Sequence, residues 1–374
     1  MDINSQSEAY AVIVQMIDWS EAFDHQSHKL GIKSFIQNGV RPSLIPILIS
    51  FFQNRKMRVK WNGQVSSERN LNGGGPQGGL LGILEYLSQT NDNVGFLSED
   101  LKFKFIDDLS ILEIINLASQ GISSYNTKHH VPSDIADHNQ YMAPANLKSQ
   151  QYLDKITSWI DDHLMKLNVD KSKYLTVNFT NNYQFSTRLC LDGAQLEEVS
   201  ETKLLGLIVR NDLKWHSNTD FVVKKAYKRM LILHNLFQFD LPSEEMIEIY
   251  ILYIRSVVEN CAVVWHSSLT VGEELDIERI QKCALRIILK NDYLDYASAL
   301  KHTGLETLKE RRVKLCENFA KSCVKSGKHS EMFPLNSQTV ETRAHETYFV
   351  THAKNGRLAK SAIPYMQRLL NECG

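Results

Sequence analysis

The sequence predicts an α+β chain in which an antiparallel sheet with helices on one face is followed by an all-helical region. Residues 11–17 form a β-branched apolar run suited to a buried strand and end on Asp18. Leu101, Phe103 and Phe105 alternate with lysines and end on the adjacent pair Asp107-Asp108. Beyond Trp215, apolar residues recur at three and four spacing over 220–237, 243–265 and 273–289, the period of amphipathic helices packed as a bundle.

The remaining elements follow in chain order. Residues 25–38 and 43–53 read as helices, and 56–66 as a hairpin turning at Asn62-Gly63. The glycine-rich run 72–79 makes a flexible turn before a helix over 80–87. Glycine there lets backbone approach a ligand closely, and a helix start favours a phosphate, although most such runs are only loops. A hairpin over 101–115 carries the carboxylate pair at its turn. Residues 121–146 are rich in Ser, Asn, His and Pro and predict an irregular excursion. A helix over 150–166 and a strand over 173–180 complete the sheet region. Pro242-Ser243 followed by Glu244 and Glu245 marks a helix start.

Two adjacent aspartates repel each other and resist burial unless a cation neutralises them. Carboxylates at strand tips are a way to hold Mg²⁺, which prefers oxygen ligands and shares itself between one or two carboxylates and a substrate phosphate. A pair of such ions can activate an attacking oxygen and stabilise the leaving one, the chemistry of nucleotidyl transfer. The same Asp-Asp pair also occurs on solvated hairpin tips.

Read in order, the motifs resemble those of the reverse transcriptases of non-LTR (LINE-like) retrotransposons. Asp18 through Asp24 is similar to the family's Asp-x-Ser-Lys-Ala-Phe-Asp. The run from Gly75 through Pro76, Gln77 and Gly78 to Gly82 resembles its Gly-Val-Pro-Gln-Gly-Ser block, and Phe105-Ile106-Asp107-Asp108 its Tyr/Phe-Ala-Asp-Asp box. Leu167-Asn168 through Lys171 and Ser172 is similar to its Leu-Asn-x-x-Lys-Thr, and Lys203 to Gly206 with Leu213 to Trp215 resembles its primer grip. Asn91-Asp92 also falls where the family often has that dipeptide. The likeness continues through Val264-Trp265-His266, 276–282 and 308–312, so it covers about 11–319.

The resemblance implies a polymerase palm with partial fingers elements over 11–214, after a residual segment 1–10. A helical thumb over 215–300 and a basic extension over 301–374 would follow. It implies an RNA-directed DNA polymerase that uses two Mg²⁺ or Mn²⁺ ions, an RNA template, a DNA primer and deoxynucleoside triphosphates. Asp18, Asp107 and Asp108 would be the catalytic metal ligands, Asp18 and Asp107 most directly. Phe23 would exclude a ribose 2′-hydroxyl, and Pro76, Gln77 and Gly78 would contact template and incoming base pair. Leu205 and Gly206 would form the primer grip. Lys171 would be the general acid for pyrophosphate release, with Lys173 as rival and a plain surface role open to both. Glu21 stands where the family usually has lysine, Ile106 where alanine is common, and Gly79 where serine or threonine is frequent. No Lys or Arg precedes Asp18, and only about ten residues precede its strand. The expectation is a shortened reading frame without the triphosphate clamp of the fingers or the endonuclease, doubtful as an enzyme. A nucleic-acid-binding remnant without catalysis and an RNA-templated RNA polymerase are the alternatives.

At 374 residues the chain exceeds what one core usually covers. Its net charge of −1 places any nucleic-acid contact on local basic groups. One is 301–328, with eight Lys/Arg against three Glu, which also fits a solvated helix face. Another is Arg55, Lys56, Arg58 and Lys60, alternating with Met57 and Val59 as on an exposed strand. The six cysteines show no Cys-x-x-Cys spacing, which reads as reduced thiols with no zinc site. His129, His130, Asp134, Asp137 and His138 fit no common metal motif. No run suits a bilayer span, since the apolar stretch 44–52 is short and holds Pro46, and no basic-then-apolar leader is present. Nucleus and cytoplasm are both open.

Overall fold

The computed structural model describes residues 10–71, 73–75, 79–91, 95, 97, 101–116, 148–179, 187–336, 347–352 and 356–372. By internal contacts the chain divides into Met1–Leu205 and Gly206–Gly374.

In the first unit, β1 (Tyr10–Ile17) is followed by α1 (His28–Gln37) and α2 (Ile45–Phe52), the latter with Pro46 in its first turn, where a missing N–H costs nothing. A short ribbon holds β2 (Lys56–Met57), β3 (Lys60–Trp61), β4 (Gln64–Val65) and β5 (Arg69–Asn70), turning at Asn62 and Gly63, both at positive φ. Then come α3 (Leu80–Gln89), β6 (Lys102–Phe105), β7 (Asp108–Asn116), α4 (Lys148–His163) and β8 (Lys173–Asn178). Short strands β9 (Cys190–Leu191), β10 (Ala194–Gln195), β11 (Glu197–Glu198) and β12 (Glu201–Leu204) end the unit. The main sheet has the order β11-β8-β1-β7-β6, antiparallel except where β11 runs parallel to β8.

Strict alternation along β1 decides how this sheet is covered. Ala11, Ile13 and Ile17 are buried and join Ile111 and Ile115 of β7, Leu153, Ile156 and Ile160 of α4, and Tyr86 of α3 in one core. Val12, Val14 and Met16 point the other way and are only half-buried. The helices therefore pack on one face, as the sequence predicts. Glu113 sits on that covered face and accepts the N–H groups of Lys148 (3.0 Å) and Ser149 (2.7 Å). A carboxylate there satisfies free donors at the start of α4 and complements the helix dipole.

The second unit opens with β13 (Leu207–Arg210) and α5 (His216–Phe237). Next are α6 (Ser243–Ile249), α7 (Ser256–Glu259), α8 (Ala262–Trp265), α9 (Val271–Leu289), α10 (Tyr296–Thr303) and α11 (Leu308–Ser326). The last helices are α12 (Gly356–Ala359) and α13 (Ala362–Glu372). Val222, Ala226, Met230 and Leu233 of α5 share a core with Ile277, Ile280, Ala284 and Ile288 of α9. The expected single helix over 243–265 is interrupted. A π-helical turn spans Tyr250–Arg255, and Cys261 at φ 51° breaks the chain before α8. The wider turn brings Val257 and Val258 to the buried side together with Ile254, and Trp265 Nε1 ties the break by donating to Asn260 O at 3.0 Å. Thr270 with Glu273 and Thr307 with Glu310 form capping boxes that start α9 and α11. Among the described residues no helix is long and apolar enough to cross a membrane. The segment 121–146 and its histidines lie outside the described residues.

Candidate active site

The antiparallel register pairs Met16 with Ser110 and Ile17 with Leu109, so one further step along each strand brings Asp18 and Asp108 to the same end of the sheet. Both fall on the face that carries Met16 and Ser110, opposite the helices. There they line one cavity together with Met16, Ser110, Lys171, Lys173 and the strand segment Thr202, Lys203, Leu204 and Leu205. The turn between β6 and β7 holds Ile106 at φ 57°, an unusual conformation for a β-branched residue, and exposes Asp107. Asp107 is not among the residues lining the cavity.

Electrostatics join the three carboxylates. Asp18 is held above the usual carboxylate range by burial and by Asp107, while the Lys171 ammonium pulls the other way. Asp108 is raised by burial, then by Asp107 and Asp18. Unneutralised acids that repel one another are a donor set suited to a hard divalent cation, which needs only one or two carboxylates beside phosphate oxygens. Among the described residues, however, no group of three or more His, Cys, Asp or Glu is assembled to hold a metal ion by itself.

Backbone hydrogen bonds fasten the cavity's far-separated segments. Asp18 N–H donates to Ser172 Oγ at 3.0 Å, Asn168 N–H donates to Asp18 O at 2.9 Å, and Ser20 N–H donates to Lys166 O at 2.9 Å. Trp19 and Leu167 form an antiparallel bridge. Ser172 is buried and itself donates to Asn168 O at 2.8 Å. This serine, the middle residue of Lys171-Ser172-Lys173, carried a motif match in the sequence but no role. Of the two rival lysines, Lys173 is ion-paired with Glu197 at 2.8 Å, whereas Lys171 is exposed beside Asp18.

The other expected site residues are placed differently. Phe23 does not line the cavity. Its ring lies tilted on Tyr86, centroids 5.0 Å apart, and Tyr86 in turn is a fully buried phenol raised by burial and by the charges of Asp107 and Asp108. Leu205 lines the cavity, and both Leu205 and Gly206 take positive φ, 46° and 91°. Pro76, Gln77 and Gly78 lie outside the described residues, as does Asp92. Just ahead of them, Gly73 and Gly75 pack so closely on Gln26 that an added Cβ would stand 2.9 Å from its carbonyl and 2.3 Å from its side-chain oxygen.

Of the eight Lys and Arg expected to make 301–328 a basic surface, four are ion-paired and one is buried. Lys309 pairs with Glu274, Arg311 with Glu259, Lys314 with Glu306 and Lys321 with Glu317, and Arg312 is fully buried. Two of those acids, Glu259 and Glu274, come from other helices and are invisible in a local count, while Lys301, Lys325 and Lys328 stay exposed. Similarly, Glu68 binds both Lys56 (2.6 Å) and Arg58 (2.8 Å) of the ribbon.

No family model matches the chain. Among curated proteins, it is 22% identical over 221 residues to the probable RNA-directed DNA polymerase from transposon BS of Drosophila melanogaster, covering 57% of this chain and 22% of that protein. It is 26% identical over 204 residues to the RNA-directed DNA polymerase from mobile element jockey of Drosophila funebris, covering 53% and 19%. A third match, to the probable polymerase from transposon X-element of Drosophila melanogaster, is 28% identical over 99 residues, covering 25% and 11%. Over about half its length, the chain is a relative of non-LTR retrotransposon RNA-directed DNA polymerases. It spans about a fifth of the length of the first two relatives. Among solved structures, apo telomerase from Candida tropicalis is similar with a TM-score of 0.38 and 13% identity, covering 87% of this chain and 48% of that one. Telomerase from Candida albicans in complex with a fragment of telomeric RNA has a TM-score of 0.36 and 14% identity, covering 88% and 47%.

Proposed function

We propose that this chain is the palm and thumb of a reverse transcriptase, extending a DNA primer on an RNA template by nucleotidyl transfer from deoxynucleoside triphosphates. The observation that carries the reading is the convergence of Asp18, Asp108 and Lys171 on one cavity of the uncovered sheet face. In this reading Asp18 and Asp108 hold the divalent ions, with Asp107 one residue away as the third carboxylate. When bound, two Mg²⁺ or Mn²⁺ ions supply Lewis-acid polarisation of the phosphoryl group and neutralise developing charge. Lys171 gives a proton to departing pyrophosphate, a task open to it because no ion pair holds it among the described residues. Ser172 orients Asp18 through its backbone. Phe23 screens the sugar from its seat on Tyr86, Pro76, Gln77 and Gly78 contact the template pair, and Leu205 with Gly206 steadies the primer end.

Primer extension on an RNA template with Mg²⁺ tests this. Asp18→Asn or Asp108→Asn is expected to lower extension roughly a hundredfold or more. Extension with ribonucleotides in place of deoxynucleotides would instead support an RNA-templated RNA polymerase. A second reading, a nucleic-acid-binding protein without catalysis, draws on the lack of a ready-made three-ligand group among the described residues. Primer-template binding with no extension at any metal concentration would favour it.

A further inference from the structure

The ribbon 55–70 divides its residues by strand alternation. Lys56, Arg58 and Lys60 alternate with Met57, Val59 and Trp61, so the basic row and the apolar row lie on opposite faces. The apolar row is open to solvent on its full length, with Met57 45%, Val59 56% and Trp61 76% exposed. A β-ribbon this short has no core of its own to bury them. Across the strands Met57 pairs with Arg69 and Trp61 with Gln64, which places a cation at one end of the row and a hydrogen-bonding amide at the other. Glu68 occupies Lys56 and Arg58, while Lys60 and Arg69 carry no ion pair among the described residues.

We propose that this row is a stacking platform for a single-stranded polynucleotide, with bases on Trp61 and Val59 and phosphates on Arg69, which shares their face, while Lys60 on the opposite face adds to the positive field. An exposed aromatic flanked by uncommitted cations is the combination such strands use, since every base has a π-face and every linkage a negative charge. The ribbon holds five basic side chains against the single acid Glu68, so its field favours an anionic partner over an apolar protein segment. The proposal rests on the polynucleotide reading of the chain and assigns it a binding surface separate from the carboxylate cavity.

The test uses the intrinsic fluorescence of Trp61. Trp19 and Trp265 are buried, Trp159 and Trp215 half-buried, so Trp61 is the exposed tryptophan of the five. Titration with an oligothymidylate and an oligouridylate should quench the acrylamide-accessible emission, and Trp61→Phe should remove that signal. Trp61→Ala should weaken binding by about fivefold to a hundredfold. Lys60→Glu with Arg69→Glu should flatten the salt dependence. Wild-type affinity and salt slope in these folded variants, checked by circular dichroism, would overturn the proposal. So would self-association that Trp61→Ala abolishes while oligonucleotide affinity stays unchanged. If the ribbon variants lose binding but the wild-type chain extends no primer, the surface stands and the polymerase reading fails. If extension occurs with unaltered ribbon variants, the reverse holds.

Discussion

Ser172 and Asp18, 154 positions apart in sequence, are joined by a 3.0 Å hydrogen bond from the Asp18 N–H to the Ser172 hydroxyl. The bond makes the turn before β8 a backbone brace for the carboxylate at the end of β1. Ser172→Ala removes the acceptor in a buried setting and is expected to cost about 1–3 kcal/mol. Ser172→Thr keeps the hydroxyl and should restore most of it. Denaturant titration of both variants measures the loss, and an unchanged midpoint for the alanine variant would contradict the brace.

Glu85 is a fully buried carboxylate with neither oxygen hydrogen-bonded, and burial pushes its pKa up to about 7 although Arg55 partly offsets the shift. A carboxyl whose folded pKa lies above its unfolded value stabilises fully below pH 4.5, and the contribution is lost as pH rises through 7. The loss amounts to about 3 kcal/mol. Glu85→Gln does not titrate. Its Tm should exceed the wild-type value at pH 8 and show little or no gain at pH 5, as read by thermal unfolding at both values.

Gly31 makes the space in which Glu85 lies. A Cβ built there would stand 2.5 Å from Glu85 Oε1 and 2.8 Å from its Cγ. Gly31→Ala should therefore destabilise the wild-type chain, and far less so in a Glu85→Ala background. A double-mutant cycle returns that coupling, and strict additivity would show that the two helices relax apart instead.

His266 is buried in the second unit, accepts from Arg312 Nε at 3.3 Å, and has its pKa lowered to about 4 by burial and by the Arg312 guanidinium. A histidine depressed in the folded state contributes stability above pH 6.5 that is lost as pH falls to 4, about 3 kcal/mol in all. His266→Gln should flatten this acid limb of the stability profile. A limb of unaltered steepness would assign the acid sensitivity elsewhere.

Much of the fold was legible because its signals are local. The β-branched run of β1, the alternation ahead of Asp107 and the Asn62-Gly63 turn each state their conformation within a few residues. The meeting of Asp18 with Asp108 could be expected from motif order, and the strand register is consistent with it. What the sequence hid depends on partners far along the chain. Part of the apparent surplus of charge around Arg312 is met by Glu259 and Glu274, and the π turn at Tyr250 places Tyr250 and Ile254 in a core shared with α5 and α9. Phe23 shows the same limit, since its motif position says nothing of the Tyr86 ring on which it rests.

Because β1 lies in the middle of the sheet, with β8 on one side and β7 on the other, both of its edges are committed and the height of Asp18 is set from left and right alike. The alignment is set by strand pairing within the sheet and not by the length of any tether between elements. Doubling such a tether adds only about 0.6 kcal/mol of closure entropy. Relatives of this chain can therefore carry insertions of very different size between those elements while the acidic end of the sheet keeps its dimensions.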